Sequence, residues 1–151
     1  MKVTNCAKII LLTLLIGCSE TDKPSKYVFD AKKYEKNIDN YVISKGEMDK
    51  FTCGMMSMVF TKEVMQAIKE NKKPSEKDME KGTPATINVS KNNIEFVDLG
   101  QKSEIKDNKV TLIGMNNQKM VFTITEKNEE VLLFRTKIEK QVCDYPFKKL
   151  N

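Results

Sequence analysis

The sequence predicts an α+β fold in which two N-terminal helices pack on an antiparallel meander sheet of five or six strands. Between residues 31 and 71, apolar side chains recur at three- and four-residue steps, which is the period of an amphipathic helix. From Ala85 onwards they alternate with polar side chains, which is the period of a half-buried strand. Clusters of Asn, Asp and Gly separate the alternating runs about every eight to twelve residues, as in a meander. A sheet curled into a barrel would show the same pattern.

Two helices are predicted before the sheet. The first lies within 27–45, where Tyr and aliphatic residues form one stripe and Asp30 can cap a helix that begins at the next residue. The second spans 47–71 and has a wide apolar arc, which indicates burial. Pro74 prevents its continuation. The charged segment 75–82 is expected to be a loop or a short helical turn.

Six strands are predicted from the alternating runs that follow. Because one face of each strand is apolar and the other is polar, one face of the sheet is expected to be buried beneath the helices. The predicted strands are residues 86–90, 94–98, 103–106, 109–114, 119–126 and 130–138.

The first 18 residues have the layout of a secretory signal peptide. A basic start that contains Lys2 and Lys8 precedes the apolar segment 9–16, which is too short to span a bilayer comfortably. Gly17 and Cys18 follow, and together they make this segment resemble a bacterial lipoprotein signal peptide with its lipobox. The resemblance implies cleavage just before Cys18 and attachment of acyl chains, such as palmitate, to the cysteine.

This resemblance also implies a division of the chain and a location. Residues 1–17 would be the signal peptide, 18–26 a tether, and 27–151 a single periplasmic α+β domain. Ser19 directly follows the lipidated cysteine, which resembles the outer-membrane class of Gram-negative lipoproteins. The expected location is therefore the bacterial envelope, lipid-anchored at the outer membrane and facing the periplasm. An ordinary secretory signal with a stray Cys, or a short N-terminal anchor, are the alternatives.

The four cysteines can be sorted by compartment. Cys6 would leave with the signal peptide and Cys18 would carry the lipid, so Cys53 and Cys143 would remain in an oxidising environment. Their simplest state is a disulfide bond. A reactive thiol at Cys53 is the alternative, but the sequence contains no His that could activate it.

Composition excludes several classes of function. Without His, the chain cannot form a Ser-His-Asp triad, a Cys-His dyad or an imidazole metal site. Arg135 is the single arginine among 26 basic residues, and this scarcity argues against nucleic-acid recognition despite a net charge of +5. We therefore expect no catalytic residues, no cofactor and no nucleic-acid partner.

The segment 53–58 is unusually rich in sulfur. Cys53, Met55 and Met58 are weak candidates for Cu(I) ligands, since thiol and thioether groups suit this ion. A Cu(I) site needs two or three sulfurs that converge on one point, however, and buried Met also fills irregular gaps in a core. Core packing is the favoured interpretation.

Two other groups of residues could have a functional role, but each also has a structural interpretation. Three carboxylates, Glu126, Glu129 and Glu130, could in principle perform acid/base chemistry, but a charged hairpin tip is the commoner arrangement. The four tyrosines could line a binding interface or could cover the rim of the core. They are Tyr27, Tyr34, Tyr41 and Tyr145.

These observations favour a membrane-anchored envelope lipoprotein that acts as a non-catalytic protein-binding module, with an inhibitor or immunity-type role as one candidate. Its expected partners are the membrane, through the lipid, and an envelope protein. Binding could use the sheet edge, the polar sheet face or a groove between helix and strand. The first alternative is a binder of a small apolar ligand or lipid in a pocket between sheet and helices. The second is a Cu(I)-binding protein.

Overall fold

The computed structural model describes residues 23–37, 47–80, 82–138 and 140–151. The described chain forms one antiparallel sheet of eight strands and a helical segment inserted between the first two strands. The strands are β1 (Ser25–Phe29), β2 (Thr86–Val89), β3 (Asn93–Phe96), β4 (Gln101–Glu104), β5 (Lys109–Ile113), β6 (Lys119–Lys127), β7 (Val131–Ile138) and β8 (Gln141–Lys149). The helices are α1 (31–37), α2 (Glu47–Ser57), α3 (Lys62–Lys69) and α4 (Glu76–Glu80). None of the described helices combines the length and the hydropathy that a membrane span requires.

The sheet is a meander that curls into a nearly closed barrel. The strand order is β4-β3-β2-β1-β8-β7-β6-β5, so β1 pairs with both β2 and β8, and the two edge strands follow one another in sequence. The barrel has two distinct ends. The helix end is where β1 finishes and α1 to α4 lie. The loop end is where Lys23 leads into β1 and where the turns 90–92, 105–108 and 128–130 lie.

Side chains of β4 join the two edge strands. The N–H of Ile113 donates to Oε1 of Gln101 at 2.8 Å, and the N–H of Thr111 donates to Oγ of Ser103 at 3.0 Å. At the loop end, the N–H of Lys109 donates to a backbone carbonyl of the preceding turn, that of Lys106, at 2.8 Å. The outward-facing N–H groups of β5 therefore all have acceptors, which removes the free donors that make an edge strand prone to pairing with another chain.

This seam gives a testable prediction. We expect Gln101→Ala and Ser103→Ala each to lower the free energy of unfolding by about 1 kcal/mol, because each leaves a part-buried N–H of β5 without an acceptor. The double variant should also form dimers or larger species through the exposed β5 edge. Urea unfolding and size-exclusion chromatography measure the two effects. Lys102→Ala, an exposed position of the same strand, is the control, and a double variant as stable and monomeric as that control would contradict the prediction.

The interior of the barrel is filled by side chains. Phe60, in the 3₁₀ turn 58–60 after α2, enters from the helix end and is fully buried. Its ring centroid lies within 6.2 Å of those of five other aromatic residues. These are Phe29, Phe122, Phe134, Tyr145 and Phe147. Such packing leaves the fold with an aromatic core in the place where a larger barrel would hold a ligand.

The prediction of one continuous helix over 47–71 is wrong. Thr61 has an extended backbone (φ −113°, ψ 148°) and forms an isolated bridge with Pro84. Next to it, the N–H of Ala85 donates to the carbonyl of Phe60 at 2.8 Å. The helical segment therefore breaks between α2 and α3, because its backbone pairs with the chain that leads into β2. A hydrophobic pattern does not reveal that interruption, since both halves keep an apolar face.

The strand count and the placement of the first helix also differ from the prediction. The six predicted strands correspond to β2 to β7, whereas β1 and β8 were missed. β1 comprises Ser25 and Lys26, which were assigned to the tether, and residues 27–29, which were placed at the start of the partly helical segment 27–45. β8 contains Pro146, which cannot donate to a ladder, yet β8 pairs with both β1 and β7.

Other expectations are confirmed. The α+β class, the antiparallel meander and its barrel-like curl are all present. Asp30 caps α1 as expected, because its Oδ1 accepts a hydrogen bond from the N–H of Lys33 at 3.1 Å. The charged segment after Pro74 contains the short helix α4. Residues 38–45 of the first predicted helix lie outside the described residues, as do the predicted signal peptide 1–17 and Cys18.

Candidate functional site

An open, mainly apolar groove lies at the helix end, between α2 and the rim formed by β6 and β7. We call it the methionine groove, and its volume is about 370 Å³. Its lining includes Met55, Met56 and Met120, together with Thr52, Val59 and Ile138.

The two walls of the groove have different origins. Met120 and Ile138 follow the same alternation as the buried Phe122 and Phe134, so they lie at the end of the barrel interior, where it reaches the surface. On the opposite wall, Met55 of α2 leaves 48% of its side chain exposed, whereas its neighbour Met56 packs against the core. The groove therefore continues the apolar core outwards to solvent.

A cysteine pair fixes the helical wall of this groove. The sulfurs of Cys53 in α2 and Cys143 in β8 lie at disulfide-bonding distance, with Cα atoms 5.5 Å apart. Both residues are almost fully buried. The hydroxyl of Tyr145 also donates to the carbonyl of Cys53, at 3.2 Å. The pairing predicted from the sequence is thus confirmed, and it holds α2 against the rim of the barrel.

The structure does not bring the predicted metal candidates together. In the paired state, the sulfur of Cys53 is bonded to Cys143 and is no free thiolate. Met55 is exposed, and Met58 lies in the 3₁₀ turn that follows α2. The methionines that do share a surface are Met55, Met56 and Met120, a set that includes a residue of β6. No group of three or more acidic or cysteine side chains in the described segments is arranged to hold a metal ion.

Three of the four tyrosines belong to the core and form no exposed interface. Tyr27, Tyr34 and Tyr145 are at most 7% exposed, while Tyr41 lies outside the described residues. The rings of Tyr34 and Tyr145 stack with centroids 5.6 Å apart, directly beneath α2. Burial raises the pKa of both phenols above its ordinary value of 10. The interpretation of Tyr34 and Tyr145 as core residues is therefore correct.

The Tyr34–Tyr145 pair offers a matched comparison. The buried hydroxyl of Tyr34 has no hydrogen-bond partner within the described chain. We expect Tyr34→Phe to be neutral or slightly stabilising, and Tyr145→Phe to cost about 1 kcal/mol through the lost bond to Cys53. Chemical denaturation at neutral pH measures both. A larger loss in the Tyr34 variant would contradict this assignment.

The Tyr34–Tyr145 pair also predicts how the stability of the fold depends on pH. Because the folded-state pKa values are raised, the unfolded chain releases the phenolic protons first, and stability is lost as the pH rises above about 10. Below that pH the contribution is fully present. Tyr34→Phe should therefore show a smaller loss of stability between neutral pH and about pH 11 than the wild type does. An identical loss in both proteins would show that this phenol is not responsible.

The remaining charged candidates have structural roles. Glu126 lies near the tip of the β6–β7 hairpin, and its carboxylate accepts a hydrogen bond from Asn128 at 2.8 Å. Glu129 and Glu130 are exposed in the same tip, so the hairpin interpretation is correct. Arg135, the single arginine, donates two hydrogen bonds to the carboxylate of Asp144 across the β7–β8 pair, at 2.7 and 2.8 Å. That carboxylate raises the pKa of the guanidinium.

Sequence reasoning identified part of this site. It noted Met55 and the pairing of Cys53 with Cys143, but it missed Met120 and Ile138. Both lie in predicted strands at positions of the apolar alternation, so only the end of the barrel distinguishes them from core residues. Comparison of the chain with protein-family models found no match, and comparisons with curated proteins and with solved structures found no significant similarity.

Proposed function

We propose that this protein is a lipid-anchored component of the bacterial envelope that binds a protein partner through the methionine groove and catalyses no reaction. The observation that carries the proposal is an open apolar groove on a barrel whose interior is filled and whose seam is closed. An inhibitor or immunity-type role, in which the bound partner is an enzyme of the envelope, is the specific candidate.

The geometry favours the methionine groove over two other modes of binding, strand addition at the sheet edge and a ligand inside the barrel. Strand addition at β5 would have to displace the side chains of Gln101 and Ser103 from its N–H groups. A ligand inside the barrel would have to displace the rings around Phe60. The methionine groove requires neither. Its flexible thioether side chains can adapt to an apolar anchor residue of a partner.

The proposed anchor places this groove away from the membrane. Cys18 precedes the first described residue, Lys23, by five positions, and Lys23 leads into β1 at the loop end. The methionine groove lies at the opposite, helix end. A protein held by lipid on Cys18 would therefore present the groove to partners in the periplasm, and acyl chains on this cysteine would make the attachment durable.

A second candidate uses the same surface. The volume of the groove, about 370 Å³, is within the range of small-molecule sites, and its lining is largely apolar. A small apolar ligand could therefore occupy it in place of a protein side chain. Cu(I) is the third candidate; it would bind through the thioethers of Met55, Met56 and Met120, in place of the set Cys53, Met55 and Met58 that the sequence suggested.

Substitutions at two exposed apolar positions test the proposal. Met55→Glu places a charge in the groove, whereas Val97→Glu places one in the β3–β4 turn. Both side chains are substantially exposed, 48% and 39%, so we expect both variants to fold. Affinity capture from envelope extracts, quantified by mass spectrometry, should identify a partner that wild type and Val97→Glu retain equally. Met55→Glu should retain at least about tenfold less, because a charge buried at the interface is unpaired.

Two results would contradict this function. Equal retention by both variants would show that the groove is not the binding surface. Failure of the wild type to retain any protein saturably would remove the protein-binding role itself. In that case, titration of the wild type and Met55→Glu with a fluorescent fatty acid and with Cu(I) distinguishes the two remaining occupants.

A further inference from the structure

Three lysines line one cleft at the loop end of the barrel. Lys23 precedes β1, Lys91 lies in the β2–β3 turn, and Lys127 ends β6. The cleft has a volume of about 300 Å³, and Tyr27 and Val89 contribute to its lining. Among the described residues that line it there is no carboxylate. We call this feature the lysine cleft.

Within the described part of the chain, Glu126 and Glu129 lie to one side of the lysine cleft. Glu126 lines the neighbouring cleft, which shares Lys91 and Lys127 with this one, and its Oε1 is hydrogen-bonded to the side chain of Asn128. Glu129, in the same hairpin tip, is close enough to contribute to the raised pKa of Tyr27, after the larger effect of burial. Among these described residues, three ammonium groups and two carboxylates give a small excess of positive charge.

Lys127 holds a defined position at the mouth of the barrel. Nζ of Lys127 donates to the carbonyl of Ser90 at 3.2 Å and so joins the β6–β7 and β2–β3 turns. The hydroxyl of Tyr27 donates to the carbonyl of Asn128 at 3.0 Å and closes the mouth beneath them. The floor of the lysine cleft is therefore held by contacts between strands that are distant in sequence.

Chain length determines which end of the barrel lies near the anchor. Lys23 lies five positions after Cys18, and a fully extended chain of that length spans at most about 18 Å. A lipid on Cys18 would therefore be attached within that distance of Lys23, at the loop end. This step rests on the proposed lipid anchor.

We infer that the loop end faces the bilayer and that the lysine cleft binds the phosphate of an anionic phospholipid headgroup. Ammonium groups are strong ligands for a phosphate, and lysines close to an anionic membrane surface each strengthen the attachment severalfold. The headgroup would enter from the side where the lipid anchor holds the protein, so the anchor and the lysine cleft act on the same leaflet. The methionine groove remains free at the other end.

Lysine footprinting on the lipidated protein tests this orientation. The protein, purified from membranes, is reconstituted into phosphatidylcholine vesicles with and without about one-third phosphatidylglycerol, and the acetylation rate of each lysine is measured by mass spectrometry. We expect Lys23, Lys91 and Lys127 to react at least fivefold more slowly when phosphatidylglycerol is present. Lys62 and Lys69, exposed at the helix end, are internal controls and should not change.

A titration with soluble short-chain lipid tests the chemistry. We expect dioctanoyl phosphatidylglycerol to bind more tightly than dioctanoyl phosphatidylcholine or inorganic phosphate. The variant Lys23→Gln/Lys91→Gln/Lys127→Gln should bind it roughly a hundredfold more weakly, at about fivefold per lysine. The matched variant Lys62→Gln/Lys69→Gln/Lys73→Gln removes the same charge at the helix end and should bind as the wild type does.

The outcomes separate this inference from the proposed function. Equal acetylation in both vesicles, inorganic phosphate binding as tightly as the lipid, or equal weakening in both triple variants would overturn the inference. The intact mass of the same sample reports on Cys18. If the acyl chains are present and the lysine cleft is unprotected, the anchor stands and the inference fails. If the acyl chains are absent, the anchor fails and the inference fails with it.

Discussion

Replacement of both paired cysteines, Cys53→Ser/Cys143→Ser, is expected to lower the free energy of unfolding by about 4 kcal/mol. The bond closes a loop of 90 residues, which restricts the unfolded chain more than a short loop does. The loss approaches the whole stability of a typical domain, about 5–15 kcal/mol. Urea unfolding of the variant, and of the wild type with and without a reductant, measures the effect.

Loss of the disulfide bond should also have a local effect, on the helix α2. In the variant, α2 has lost its covalent link to β8, so amide hydrogen exchange should accelerate in α2 more than in β6 and β7. Reduction of the wild type should reproduce both changes, which serves as the control for the two substitutions. A loss of stability below about 1 kcal/mol, or uniform acceleration of exchange, would show that the bond does not hold the helix on the barrel.

Phe60→Ala is expected to lower the free energy of unfolding by about 3–5 kcal/mol. Phe60 is fully buried and contacts rings from β1, β6, β7 and β8, so truncation leaves a cavity where these strands and the 3₁₀ turn meet. Thermal and urea unfolding followed by circular dichroism measure the change.

Two control variants accompany the prediction for Phe60→Ala. Phe60→Leu keeps most of the volume and should cost clearly less than truncation to Ala. Met55→Ala removes an exposed side chain of the same helical segment and should change stability by no more than about 0.5 kcal/mol. If truncation of Phe60 were as mild as truncation of Met55, the barrel would not depend on the ring that enters from its helix end.

The strands that sequence patterns predict best are those bounded by clear turns. β5 follows Asp107 and Asn108, which both adopt positive φ (51° and 56°), as the central residues of a type I′ hairpin turn do. These residue types tolerate that conformation, so the turn is encoded locally. Strands β2 to β7 have the same kind of boundary signals. Their alternation also assigned the buried face correctly, because side chains of a strand point to opposite faces in turn.

Elements without such signals were mispredicted for a common reason. β1 has only five residues and directly precedes the cap of α1, so its apolar residues resemble the beginning of a helical stripe. β8 contains Pro146, which disfavours a central strand. Both become strands because they pair with each other and with β2 and β7, and thereby connect the two halves of the meander. Pairing between residues 25–29 and 141–149 is a long-range property that local patterns do not contain.

The candidate site also has one part that the sequence predicts and one part that it does not. The cysteine pair could be deduced from counting and compartment alone, because only two cysteines remain after the predicted signal peptide and lipid site are assigned. The methionines of the groove could not be deduced, since Met55 and Met120 are 65 positions apart and meet only where α2 crosses the rim of the barrel.

By itself, the sequence determined the fold class, the strand rhythm of the meander, the turns and the identity of the bonded cysteines. Each of these depends on interactions between near neighbours or on composition. Only the tertiary structure decided that the sheet closes through Gln101 and Ser103, that the helical segment breaks at Thr61, and that an apolar groove stays open at the helix end. These features depend on contacts between distant segments, for which hydrophobic periodicity carries no information.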